Sequence, residues 1–168
     1  LAERYPSVYA CVGFHPLDMA GADEASLKEI EKVSEHKKVV AIGEIGLDYY
    51  YDTTPKDKQQ KMYASQIEIA VRRNLPIVVH TRDSMDDAIG IVEQMIRQNE
   101  YWRSQQATSN SRFLAPKGVF HCYSGDAQTA WRLFKLGFLV SFPGIVTFKN
   151  SPAAETLKSI CYDHLMLE

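Results

Sequence analysis

The feature that most constrains this chain is a repeated pairing of short apolar runs with amphipathic segments. Near-continuous apolar stretches at residues 8–14, 39–42, 77–79, 118–120, 138–140 and 165–167 lack the alternation of half-exposed strands. Strands buried on both faces read this way. Between them, residues 22–34, 55–73, 84–98, 127–136 and 152–160 carry helical spacing. The second of these sets Met62, Ile67, Ile69, Ala70 and Val71 among Lys, Gln and Arg, so that one stripe can pack on a sheet while the other meets water. Asp126 or Ser124 can cap the helix at Ala127, Asp83 or Ser84 the helix before it, and Gly137 stands where a helix would stop.

Strand and helix alternating in this manner predict an α/β domain with right-handed crossovers. Two architectures satisfy the pattern, an open doubly wound sheet and a (β/α)8 barrel. A full barrel takes roughly 200 residues or more and eight strands, so the 168 residues here would supply about six of the eight. No repeat or low-complexity tract is evident beyond the alternation. Residues 97–117, which include Gln105, Gln106, Ser109, Asn110 and Ser111, form a polar stretch expected to be a surface loop away from the chemistry.

With 45% hydrophobic and 24% charged residues, the chain has enough apolar material for one core, and residues 1–168 are expected to form a single domain. A net charge of -2 argues against a protein that coats nucleic acid through a broad basic face, because that mode needs many Lys and Arg contacts to phosphate. Contact with nucleic acid should therefore be local. Cys11, Cys122 and Cys161 are scattered, odd in number and without C-x-x-C spacing, so neither a disulfide framework nor a zinc ribbon is indicated, and a reducing, cytoplasmic setting fits. No apolar stretch approaches the roughly 18 to 20 residues that span a bilayer, and the first residues lack the apolar core of a signal peptide. The chain opens on Leu1 instead of Met, as a segment or a processed product would.

The chemistry gathers where the apolar runs finish: His15, Glu44, His80, His121 and Glu168. In a barrel the C-terminal strand ends converge on one face, the face that carries active sites. Imidazole and carboxylate together suit a divalent cation, and a carboxylate can bridge two ions. Glu44, His80 and His121 are thus candidate ligands. Each taken alone could equally be a polar residue closing a strand, and it is their recurrence at successive strand ends that favours ligation. His36, at a helix end, reads as a solvated residue facing the helix dipole. His164 precedes its strand and belongs on the stability face. Cys122 reads as a small packing residue. Arg82 could grip a phosphate or pair with Asp48 or Asp83. Neither a G-x-G-x-x-G nor a P-loop pattern occurs, so no nucleotide cofactor is indicated, and Ser124-Gly125 lacks the leading glycine of a nucleophile elbow.

The motifs Gly13-Phe14-His15-Pro16, Gly43-Glu44-Ile45-Gly46-Leu47-Asp48-Tyr49, Leu75-Pro76-Ile77-Val78-Val79-His80-Thr81-Arg82-Asp83, Gly118-Val119-Phe120-His121-Cys122-Tyr123-Ser124-Gly125 and Val146-Thr147-Phe148-Lys149-Asn150 resemble, in order and spacing, those of the TatD family of metal-dependent deoxyribonucleases, within the amidohydrolase-like barrels. The resemblance covers nearly the whole chain. It implies a partial (β/α)8 barrel that hydrolyses phosphodiester bonds in DNA, as an exonuclease, with metal-activated water and two divalent ions, Mg2+, Mn2+ or Zn2+. Glu44 would bridge the ions, and His80 and His121 would ligate one of them. His15 would stand near the substrate phosphate or leaving group. Arg82 and Asp48 would serve substrate binding, Arg82 as a phosphate contact and Asp48 by orienting the ligands. The His-x-His pair of the family's first strand is not in this sequence, and the chain stops at Glu168 where the family continues Glu-Thr-Asp. This segment by itself is therefore expected to be inactive and to expose strand edges. Two other readings keep less of the resemblance: hydrolysis of an amide or ester bond at the same metal site, and a non-catalytic barrel used for binding or scaffolding.

Overall fold

The computed structural model describes residues 1–51, 53–104 and 117–168. Six strands, β1 (Ala10–Val12), β2 (Val39–Asp48), β3 (Ile77–Arg82), β4 (Gly118–Phe120), β5 (Phe138–Phe142) and β6 (Leu165–Leu167), form one sheet in the order β1-β2-β3-β4-β5-β6. Every neighbouring pair is parallel. A doubly wound sheet reverses its strand order partway across, and here the order never reverses. The fold is α/β, the sequential sheet of a partial (β/α)8 barrel.

The crossovers are α1 (Glu24–Val33), α2 (Lys56–Arg73), α3 (Met85–Gln98), α5 (Ala127–Leu136) and α6 (Pro152–Lys158), with a short α4 (Glu100–Ser104) following α3. Ile42, Ile45 and Leu47 of β2, Ile77 and Val79 of β3, Phe120, Phe138 and Val140 meet Tyr63, Ile67, Ile69, Ala70, Ile89, Val92 and Leu133 from the helices in one core. A second small cluster joins Met19, Ala22 and Met62.

Helix ends follow from single side chains. The Asp23 carboxylate accepts from the Ser26 amide at 2.9 Å in a capping box that starts α1. Asp126 accepts from the Thr129 amide at 2.7 Å to start α5, and Gly137, with φ 89°, ends it. Ser84 occupies the cap position of α3 without capping it. Its hydroxyl donates to the Leu47 carbonyl at 2.7 Å and its oxygen accepts from the Arg82 amide at 3.2 Å, so the acceptor that would cap the helix serves the end of β3 instead. Of the expected α2 stripe, Met62, Ile67, Ile69 and Ala70 are buried and Val71 is packed at its margin.

Some boundaries differ from the sequence reading. The first apolar run yields only three paired residues. β2 and β3 run past Glu44 and His80, which therefore lie within strands and not at their ends. The polar stretch expected as a loop at 97–117 instead begins in the last residues of α3 and continues into α4, whose Trp102 is 2% exposed and packs edge-on against Phe138 with ring centroids 6.1 Å apart. Residues 105–116 of the expected loop lie outside the described residues. His164 stacks on Phe134 at 4.7 Å, and His36 pairs with Glu3 at 3.3 Å. Cys122 is exposed and free, not a packing residue. Its φ of 49° turns the chain sharply as it leaves β4.

Candidate metal centre

The Gly-Glu-Ile-Gly-Leu-Asp block is explained by how closely β2 approaches β3. The pairing passes from Ile42↔Ile77 to Ile45↔Val79, so β2 carries one residue more than β3 across this stretch. Such a bulge re-aims a side chain, and Glu44 emerges half-buried between buried Ile42 and Ile45. A Cβ on Gly43 would lie 2.6 Å from the Val78 Cβ, and one on Gly46, whose φ is 143°, would lie 2.0 Å from the His80 carbonyl oxygen. Both positions admit only glycine.

Glu44 Oε1 gathers three imidazoles. It lies 3.0 Å from His80 Nδ1, 3.5 Å from His121 Nε2 and 3.8 Å from His15 Nε2. The donor atoms of His15, Glu44 and His80 all fall within 4.8 Å of one another, and the His15 and His80 rings meet edge to face at 4.4 Å. The hydrogen bond to His80, reinforced by the other imidazoles and opposed by burial, holds the Glu44 carboxyl below its ordinary range. Burial disfavours the His80 imidazolium, yet its bonds to Glu44 and Asp48 outweigh that and raise its pKa. Burial, helped by the nearby His80, lowers that of His15.

The far nitrogens of these rings are held. His80 Nε2–H donates to Asp48 Oδ2 at 3.0 Å, and Asp48 is 1% exposed. His121 Nδ1 contacts Glu168 Oε2. Both rings thus have a carboxylate behind them, which fixes tautomer and orientation and leaves His80 Nδ1 and His121 Nε2 facing Glu44. His15 is arranged differently. Its Nδ1 accepts from the Leu17 amide at 3.2 Å, so the neutral ring carries its proton on Nε2, toward Glu44. One carboxylate with two imidazoles is a donor set that fits a divalent cation once the proton that His80 Nδ1 shares with Glu44 has left, while His15 turns a hydrogen-bond donor toward the site.

Two buried glutamines of α2 place these groups. Gln66 Oε1 accepts from the Phe14 amide at 2.6 Å and its Nε2 donates to the Phe14 carbonyl at 3.2 Å, fixing the chain just before His15. Seven residues earlier on the same helix, Gln59 accepts from the Asp48 amide at 2.8 Å and donates to the Asp48 carbonyl at 2.9 Å. Neither glutamine stood out in the sequence, since in the apolar pattern they occupy positions of a polar residue; the signal was their i, i+7 spacing on the core face. Glu168 was visible as a strand end but had no partner assigned. Its carboxylate also accepts from the Cys122 amide at 2.8 Å and from the Ser141 hydroxyl.

Arg82 pairs with neither Asp48 nor Asp83 among the described residues. Its guanidinium lies 3.7 Å above the Tyr50 ring and 5.0 Å from that of Tyr51, while Asp48 is committed to His80 and to the Tyr50 and Tyr51 amides. Beside this, Tyr49, Thr81, Asp83, Ser84, Ser124 and Gly125 line a groove of about 470 Å³ between the exits of β2, β3 and β4.

A sequential parallel sheet with an imidazole and carboxylate cluster at its mouth defines the class of metal-site (β/α) barrels. The chain belongs to the family described as TatD related DNase, whose profile matches residues 1–168. It is 38% identical to the uncharacterized metal-dependent hydrolase YabD of Bacillus subtilis over all of this chain and 60% of that protein. It is 31% identical to the putative deoxyribonuclease tatdn3 of Danio rerio, again over all of this chain and 60% of the relative. Among solved structures, the TatD homologue YJJV of Escherichia coli superposes with a TM-score of 0.83 at 29% identity, covering all of this chain and 60% of that one. The chain thus spans about 60% of the length of these relatives.

Proposed function

We propose that the full-length protein is a metal-dependent phosphodiesterase that hydrolyses DNA, working from strand ends, and that residues 1–168 are part of its single barrel domain. The observation that carries this reading is one carboxylate oxygen, Glu44 Oε1, with imidazole nitrogens of His80, His121 and His15 at 3.0, 3.5 and 3.8 Å. Family membership supports the phosphodiester bond as the target. Glu44, His80 and His121 would hold divalent cations, two of them bridged by Glu44, with Mg2+, Mn2+ and Zn2+ as the candidates. When bound, such ions neutralise charge on a phosphoryl oxygen and make water a better nucleophile near neutral pH.

The chain's own residues supply the rest. Asp48 and Glu168 keep the His80 and His121 rings aimed at the shared site. His15 presents Nε2–H, positioned to donate a hydrogen bond to the charge that develops on the phosphate or the departing oxygen. Arg82, at the end of β3, meets a phosphate that reaches the mouth.

The test is nuclease activity of the full-length protein on oligonucleotides, with and without EDTA, and with Glu44→Ala and His121→Ala. Activity should fall to background in all three cases. Activity indifferent to the chelator and to both substitutions, or hydrolysis of amide substrates with oligonucleotides left intact, would end the proposal.

A further inference from the structure

The exit of β2 carries a feature that metal binding does not use. Tyr50 and Tyr51 are 57% and 44% exposed, side by side, with their rings edge to face at 4.8 Å. Single exposed rings are ordinary, but two adjoining ones beside an imidazole and carboxylate cluster make a contiguous apolar patch of the kind that meets a ligand. Arg82 lies against the Tyr50 ring at 3.7 Å and has no ion pair among the described residues. This combines flat apolar faces with a cation whose charge is still available.

The pair is rigidly tied to the metal centre. Asp48 Oδ1 accepts from the Tyr50 amide at 3.0 Å and the Tyr51 amide at 3.2 Å, while Oδ2 of the same carboxylate holds His80 Nε2 at 3.0 Å. In the sheet register Asp48 stands opposite Arg82. The main chain that carries the two rings and the imidazole of His80 are therefore set by one buried carboxylate, with Arg82 beside it in the sheet.

Building on the phosphodiesterase reading, we infer that Tyr50 and Tyr51, with Arg82 beside them, form a stacking platform for an unpaired nucleobase next to the phosphate being cut. Aromatic stacking accepts any base because every base has a π-face, and an arginine plane adds to it while reaching the neighbouring phosphate. A paired base inside a duplex hides its faces, so the platform selects single-stranded or frayed ends. It also answers how a chain of net charge -2 could hold a polyanion: through bases as well as phosphates.

The test compares the KM of the full-length protein for a short single-stranded oligonucleotide with its KM for the same oligonucleotide made abasic beside the cleaved bond. Stacking of one base corresponds to a ratio of about five- to 150-fold. The ratio should approach one in Tyr50→Ala/Tyr51→Ala and persist in Tyr50→Phe/Tyr51→Phe, since the backbone bonds to Asp48 survive in both. A 2-aminopurine at that position should be quenched on mixing with the wild type and not with the alanine variant. A ratio near one in the wild type, or one that survives the alanine substitutions, would overturn the platform while leaving the nuclease standing. A wild type that neither binds nor cuts oligonucleotides would overturn both.

Discussion

At the scale of the residue, the site works because each imidazole has its two nitrogens assigned. Asp48 is the clearest case, since a charge 1% exposed persists only when its oxygens are fully used. The substitution Asp48→Asn keeps an acceptor for the Tyr50 and Tyr51 amides but weakens the grip on His80. Divalent-ion affinity of the full-length protein should drop about 10- to 100-fold, read by competition with a chelator. A raised KM with metal affinity unchanged would instead assign Asp48 to substrate. His15, Glu44, His80 and His121 were readable in the sequence because each closes or nearly closes an apolar run. The tautomers were not readable, as they depend on the local turn that aims the Leu17 amide at His15 and on partners such as Glu168 that only the fold brings near. Nor was the stacked Arg82, because its two expected carboxylate partners differ from the tyrosine rings it meets only by the path of one turn.

At the scale of the element, α2 acts as a jig. Gln59 and Gln66, both fully buried, grip the exits of β2 and β1 through main-chain groups. In Gln66→Leu the Phe14 amide and carbonyl lose their partners, and each orphaned group costs about 1–3 kcal/mol. Urea unfolding should show a lowered midpoint with an unchanged slope, and a loss below about 0.5 kcal/mol would mean that water or a neighbour replaces the amide. The six strands and the five crossover helices were legible, from continuous apolar runs and from caps such as Asp126 and Gly137, whereas α4 falls in a stretch read as loop because its residues are polar apart from Tyr101 and Trp102. Lengths were less so. β2 extends to Asp48 because glycines at 43 and 46 let it hug β3, a steric fact that hydropathy does not register. Ser84 shows the same limit, since the oxygen able to cap a helix accepts from the amide of Arg82 at the end of β3.

At the scale of the whole molecule, the sparse positive charge decides how nucleic acid would be held. With Arg82 beside Tyr50 and Lys56 over the Tyr49 ring as the cations described at the mouth, few phosphates are neutralised by side chains, and the logarithm of oligonucleotide KM should climb with the logarithm of salt at a slope of about 1 to 2. A slope near 6 in a salt titration would require an extended basic track instead. No helix among the described residues is long and apolar enough to cross a membrane. The sheet's unbroken order, β1 through β6, also means that no strand must wedge between two already paired. Each new βα step finds its berth on the flank left by the step before it, so the order in which a ribosome delivers the chain and the order in which the sheet can be laid down coincide.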